Sequence, residues 1–341
     1  MPIVKDSSYN PPILLQNGHL QTLYPYFFRK VRDVQYSRKR LFTLDNDFID
    51  VDISDVGSKK LLILSHGLEG CSNTQYIMGM TKHFNNLGID AISWNMRSCS
   101  GELNWTEKFY HALTLNDLDL VINHATSIKD YDEIYLLGFS LGAILTSNYL
   151  GERGKNIDPR IKKAVVFSVP CDLHSSVLEL SKPMNKMYSE NFLATMRKKI
   201  ILKHNTIGLS KVDIKHVNKI KSFYEFDNRF TAPLHGFKDA DDYYTKGSCK
   251  PKLKNISIPT LMVNAKNDPF LGKDCFPIAE AHKNPNLFLE MPETGGHVGF
   301  INTLGSEILW SEKRAEAFIL DSDIKKIDDR EIEKRQLFTD A

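Results

Sequence analysis

The sequence predicts an α/β fold: a mostly parallel central sheet flanked by helices, with a helical cap inserted after the sixth strand. Three observations predict it. Short apolar runs of buried-strand length, at 60–65, 90–94, 133–137, 164–169, 260–264 and 287–291, alternate with helical patterns. The run at 133–137 leads directly into Gly138-Phe139-Ser140-Leu141-Gly142 and then into a helical stretch at 143–150. The alternation stops between 171 and 258, a polar, lysine-rich stretch with helical pieces, and resumes at Pro259. The chain therefore divides into a first core part (1–170), a cap (171–258), a second core part (259–320) and a charged tail (321–341).

A strand, G-x-S-x-G and a helix in succession make a nucleophile elbow. The turn is too sharp for bulky neighbours, so glycines stand two residues before and two after the serine. Such a turn lifts Oγ above the sheet edge. The helix that starts there aims its free N–H groups at the same point.

Composition narrows the class. The chain has 341 residues, 42% hydrophobic and 25% charged, as in a globular protein. A net charge of +2 gives no sign of a nucleic-acid partner. No apolar run approaches the roughly 18 residues of a membrane span. MPIVKDSSYN at the start lacks the apolar core of a secretory signal. Five scattered cysteines without C-x-x-C read as free thiols in a reducing, cytoplasmic compartment. Histidines and carboxylates never fall at metal-ligand spacing with a third partner, and there is no Walker loop or GxGxxG, so neither metal nor cofactor is expected.

Taken in order, residues 17–25 read as a short helical turn closed by Pro25. Residues 38–44 and 48–54 alternate as two antiparallel strands around Asp45-Asn46-Asp47. Helices are expected at 75–87, 112–128, 275–282 and 307–320. In an open sheet, active groups lie beyond the carboxyl ends of the strands. The strand at 60–65 exits into His66-Gly67-Leu68, and the backbone N–H groups of Leu68 and Leu141 are the expected oxyanion donors, with His66 structural. The strand at 260–264 exits toward Asp268, with Pro269 fixing the turn. The last strand exits into a glycine-rich loop carrying His297. Ser140, Asp268 and His297, each at a strand exit, keep the serine–acid–histidine order of α/β-hydrolases. Asp274 and Glu293 are rival acids; the first lies further into the next helix, the second precedes the histidine in its own loop.

Several segments together resemble the YheT-like branch of that superfamily. They are NGHLQT at 17–22, HGLEG at 66–70, NMRSCSGE at 95–102, GFSLG at 138–142, TAPLHGF at 231–237, NDPF at 267–270 and GGHVGF at 295–300. The branch usually has glycine at the position of Ser98. The resemblance implies a carboxylesterase acting on short- or medium-chain acyl esters, or on lipids as some eukaryotic relatives do.

The expected function is hydrolysis of a small-molecule or lipid ester through an acyl-enzyme. Acyl transfer on the same triad and a catalytically silent binding protein on the same fold are the alternatives. His19, Arg97 and His111 are candidate substrate contacts, although Arg97 and Glu102 are equally placed to pair with each other. The cap reads as a lid. Between 197 and 221 it holds eight basic residues and the single acid Asp213, net +7, which suggests contact with anionic esters or anionic lipid surfaces. Phe192, Leu193, Met196, Ile200 and Ile201 interleave with its start as an apolar face toward the acyl pocket. The sequence does not indicate an oligomeric state.

Overall fold

The six apolar runs become neighbours in one sheet of the computed structural model, which describes residues 3–321. Its strands are β1 (Ile3–Val4), β2 (Ser37–Phe42), β3 (Phe48–Ser54), β4 (Lys60–Ser65), β5 (Asp90–Asn95), β6 (Glu133–Phe139), β7 (Ile161–Phe167), β8 (Thr260–Val263) and β9 (Leu287–Glu290). They lie in the order β1-β9-β8-β7-β6-β4-β5-β3-β2. The pairings are parallel except β2–β3 and β3–β5. The central strands are buried on both faces, which is why they read as unbroken apolar runs.

Helices cover both faces. They are α1 (Gly18–Phe28), α2 (Gln75–Asn86), α3 (Leu115–Ile128), α4 (Leu141–Arg153), α5 (Leu173–Leu180), α6 (Lys186–Ile207), α7 (Phe223–Phe226), α8 (Ala232–His235), α9 (Ala240–Gly247), α10 (Ile278–Lys283) and α11 (Trp310–Leu320). One core joins α3 and α4 to the sheet; the other joins α2 and α11 to the opposite face. The cap leaves after β7, the sixth of the expected strands. It has its own core, including Leu193, Ile200, Phe226 and Phe230. From Ala240 onward the inserted chain packs back into the main core.

Three sequence expectations need adjustment. The two-residue edge strand β1 is too short to show a period. Pro25 does not close the first helix: it lies buried within the eleven-residue α1, whose start is capped by the Asn17 side chain accepting from the N–H groups of His19 and Leu20. The helices expected from 112, 275 and 307 each start three residues later, at Leu115, Ile278 and Trp310. The expected tail lies, from 322 onward, outside the described residues.

The elbow shows why its glycines are needed. Ser140 has φ 52° and ψ −117°, a conformation costly for a residue with a Cβ. A Cβ on Gly142 would stand 2.2 Å from the Ser65 carbonyl oxygen, and one on Gly138 2.5 Å from that of Gly142. The first helical turn thus rests on the backbone of β4. Gly142→Ala is expected to lower unfolding free energy by about 3 kcal/mol, since the obstacle is main chain that cannot turn aside. Urea denaturation checks this; an unchanged midpoint would refute the close-approach argument.

Candidate active site

The carboxyl ends of β4, β6, β8 and β9 bring the three predicted side chains together. Ser140 Oγ lies 2.8 Å from His297 Nε2. His297 Nδ1 lies 2.9 and 3.1 Å from the two Asp268 oxygens. Asp268 is buried, and its Oδ1 also accepts the Phe270 N–H at 2.8 Å. The imidazole therefore donates from Nδ1 to the acid, which leaves Nε2 free to accept from the serine hydroxyl. The N–H groups of Leu68 and Leu141 donate to no group among the described residues, and both residues line the cavity that contains Ser140. Gly67 packs close behind the serine, where a Cβ would meet Ser140 Cβ at 3.1 Å. His66 is structural: its Nδ1 donates to Gly67 O at 2.7 Å, its Nε2 accepts the Met96 N–H at 3.0 Å, and burial pulls it down to about 4.

A family model described as the alpha/beta hydrolase fold matches residues 60–303. The chain belongs to the α/β-hydrolase family. It is 33% identical over 309 residues to the human phospholipase ABHD3, covering 88% of this chain and 75% of that one. It is 31% identical to YheT of Escherichia coli, covering 87% and 88%, which places it in the YheT-like branch. Monoacylglycerol lipase of Saccharomyces cerevisiae is 28% identical over 338 residues. The esterase Pf2001 of Pyrococcus furiosus has the same fold, with a TM-score of 0.56, 17% identity and coverage of 93% and 98%.

Within this hydrolase the rival acids stand apart from the histidine: Asp274 is exposed, and Glu293 is exposed and paired with Lys266. Of the three candidate substrate contacts, only His111 lines the Ser140 cavity. Burial pulls its ring down to about 3, so it faces the cavity uncharged. His19 sits outside that lining, with Nδ1 3.2 Å from the Tyr188 hydroxyl. Arg97 points elsewhere. All five of its N–H bonds go to Asp45, Asp47 and Asp117 at 2.8–3.2 Å, so no donor is left for a substrate. Glu102 pairs with Arg40, not with Arg97. Ser98 takes φ 62°, a conformation that explains the glycine usual at this position; its hydroxyl bonds the Asn104 side chain.

Sequence reasoning did not foresee how the histidine loop is braced. The Thr22 hydroxyl accepts the His297 N–H at 2.9 Å, and Asn267 Oδ1 accepts that of Gly296 at 3.0 Å. Gln21 accepts the Ile301 N–H at 2.9 Å. Gly18 lies so close to the acid loop that a Cβ would stand 2.1 Å from Asn267 O. The NGHLQT segment is thus a buttress, and the signal for it was that segment's membership of the resemblance.

The cavity has about 770 Å³ of atom-free space, open to solvent, with mostly apolar walls. Of the five apolar residues expected to face it from α6, Phe192 and Met196 do, while Leu193, Ile200 and Ile201 pack in or against the cap's own core. The cap cations follow a different pattern from the expected basic face. Arg197, Lys199 and Lys203 turn inward. Lys199 meets Glu69 at 2.9 Å, and Lys203 meets Asn104 Oδ1, Thr106 O and Lys108 O at 2.7–2.8 Å. Lys198, Lys211, Lys215, Lys219 and Lys221 are exposed.

One cavity wall carries a carboxyl that the sequence did not single out. Asp227 begins a π-turn, Asp227–Thr231, and accepts the hydroxyls of Thr231 at 2.5 Å and Tyr244 at 2.7 Å. Burial pushes it up to about 6 against those two bonds. A folded-state value above the unfolded one lends stability that is complete below about 3.9 and lost as pH rises through about 6. Asp227→Asn cannot ionise. It should melt with wild type near about pH 4 and above it at about pH 7.5, by no more than about 3 kcal/mol. Melting curves at both pH values check this; a constant offset would refute it.

Proposed function

We propose that the chain is a serine hydrolase, a carboxylesterase that cleaves short- or medium-chain acyl esters, lipid esters among them. The observation that carries this reading is the unbroken hydrogen-bonded line Ser140–His297–Asp268 at the floor of an apolar cavity. Relatives named phospholipase and monoacylglycerol lipase support an ester as the bond cleaved. In the proposed reaction, His297 Nε2 takes the Ser140 proton as Oγ attacks the carbonyl carbon. The oxyanion forms against the Leu68 and Leu141 N–H groups, each worth about 2.7–4 kcal/mol to the transition state. The alcohol leaves with the proton from His297, and water then opens the acyl-enzyme by the same route. Asp268 holds the imidazole in the tautomer this requires and stabilises its charged form.

Ser140→Ala should fold as wild type and lose ester turnover by several powers of ten, with His297→Ala costing about as much and Asp268→Asn less. Labelling by a fluorophosphonate probe should disappear with Ser140. A wild-type protein that neither labels nor turns over p-nitrophenyl esters would refute the reading in favour of a silent binding protein. Excess alcohol diverting the acyl group to a new ester would mark acyl transfer.

Cavity shape supports the acyl range. A second apolar chamber, bounded in part by Phe109, Phe226 and Phe230, shares Leu68, Tyr110, Met196 and Thr231 with the Ser140 cavity. Met196 stands between the two, so Met196→Trp should shift the preferred acyl length downward and leave acetate ester turnover within about twofold. Parallel loss on all chain lengths in an ester panel would refute the two-chamber path.

A further inference from the structure

Helix α1 is amphipathic in the wrong sense for a helix of a globular core. Its buried seam is Gly18, Gln21 and Pro25, at i, i+3 and i+7. Its outward side carries Leu20, Tyr26, Phe27 and Phe28, and the preceding turn carries Ile13 and Leu14. Ile13 is 84% exposed, Leu14 77%, Phe27 61% and Phe28 68%. A monomer surface seldom gathers large apolar side chains in this way. Residues 7–28 contain no Asp, Glu, Lys or Arg. Arg29, paired with Glu312, follows, and then the exposed Lys30 and Arg32, with the exposed Asp33 after them.

The same combination recurs across the acid loop. Met184 and Met187 are exposed on either side of the exposed Lys186, with Lys182, paired with Glu179, just before them. The two pieces flank one loop: Asn267 Nδ2 donates to Gln16 O at 2.8 Å, and Asn185 Nδ2 donates to Pro269 O at 2.7 Å. They also meet directly through His19 and Tyr188, whose rings stack at 5.8 Å. Tyr188 in turn packs on Phe270, and Phe270 on His297, with ring centroids at 4.8 and 4.2 Å. This apolar face with a basic rim therefore lies just outside the cavity wall formed by Phe270 and His297.

We propose that this face docks on a lipid surface bearing anionic headgroups, with the side chains of Ile13, Leu14, Phe27, Phe28, Met184 and Met187 entering the headgroup–acyl boundary. The chemistry is that of an interfacial helix: large apolar and aromatic side chains on the wet face, cations at its margin. Charge decides against a second copy of the chain as the occupant. Two such faces in apposition would bring their lysine rims together, whereas anionic headgroups complement them. The face is distinct from the basic stretch of the cap, where Lys199 and Lys203 fasten α6 to the core. Its use for catalysis rests on the ester-hydrolase reading; its binding does not.

The test is co-sedimentation of the full chain, carrying Ser140→Ala, with sucrose-loaded vesicles of phosphatidylcholine, with and without phosphatidylserine. The Ser140→Ala chain should bind, more tightly with phosphatidylserine. Adding Leu14→Gln, Phe27→Ser and Phe28→Ser should weaken partitioning at least about tenfold, since three large side chains lose their burial. In the chain with native Ser140, the same three changes should slow turnover of a vesicle-borne ester and leave soluble p-nitrophenyl butyrate turnover and the melting temperature unchanged. Replacing Lys211, Lys215 and Lys221 by glutamine should leave partitioning within about twofold. The proposal fails if the Ser140→Ala chain does not bind, if the triple variant binds as well as it does, if the cap lysines carry the binding, or if the same three changes instead dissolve a solution dimer. Failure of the ester-hydrolase reading shows separately, as absent p-nitrophenyl butyrate turnover in a chain that still binds vesicles.

Discussion

Everything at this site depends on one close approach, the seating of Gly142 on the Ser65 and His66 carbonyls. That contact brings the start of α4 down onto the end of β4, and the chain can reach it only by turning through the left-handed conformation of Ser140. Strain of this kind costs about 1–3 kcal/mol and persists only when surrounding packing over-determines it. Here β6 is held between β4 and β7 in parallel register through Gly138, and α4 is buried over most of its length. The same turn places Leu141 at the start of α4, lining the cavity that Leu68 also lines. The position of Ser140 at the cavity is thus fixed by a single backbone constraint.

The histidine is held differently. Its loop has Gly295, Gly296, Val298 and Phe300 all at positive φ, which gives it little regular hydrogen bonding of its own. Partners from elsewhere satisfy it: Thr22 for the His297 N–H, Asn267 for Gly296, Ser168 for Val298 and Gln21 for Ile301. Buried amides need such acceptors. The N-terminal helix supplies two of them, so a segment remote in sequence holds the loop that carries His297. Its inner residues are small or polar because they meet main chain, and this leaves its larger apolar side chains facing outward.

What was legible in the sequence follows from range. The sheet and the order serine–acid–histidine could be read because buried strands and strand exits leave local signatures, and both rival acids were already disfavoured by position. The brace at Thr22 and Gln21 could not be read, since nothing local marks a hydroxyl or amide as the acceptor for a loop some 275 residues away. Arg97 failed for a related reason. An arginine near a strand exit looks available until its carboxylates arrive from the turn between β2 and β3 and from α3. Asp227 carried no signal because its burial comes from the cap folding back over it.

The cap's charge shows how net charge by segment can mislead. A count of +7 between 197 and 221 suggests an electrostatic surface, but its inward members act as fasteners. Lys199 reaches Glu69, the residue after Leu68, and Glu69 sits at φ 57° with its N–H on the Tyr110 hydroxyl at 2.7 Å. Its Oε1 takes both Lys199 and Tyr110, while Oε2 is buried without a hydrogen-bond partner among the described residues. Lifting α6 away would leave that carboxylate with a single bond in a low-dielectric wall, a large cost for a charged group. Lys203 adds three oxygen acceptors on the loop at 104–108. The cap is therefore part of the wall that holds the loop at 66–70, and any movement that lifts α6 must break the Glu69 pair or carry that loop with it.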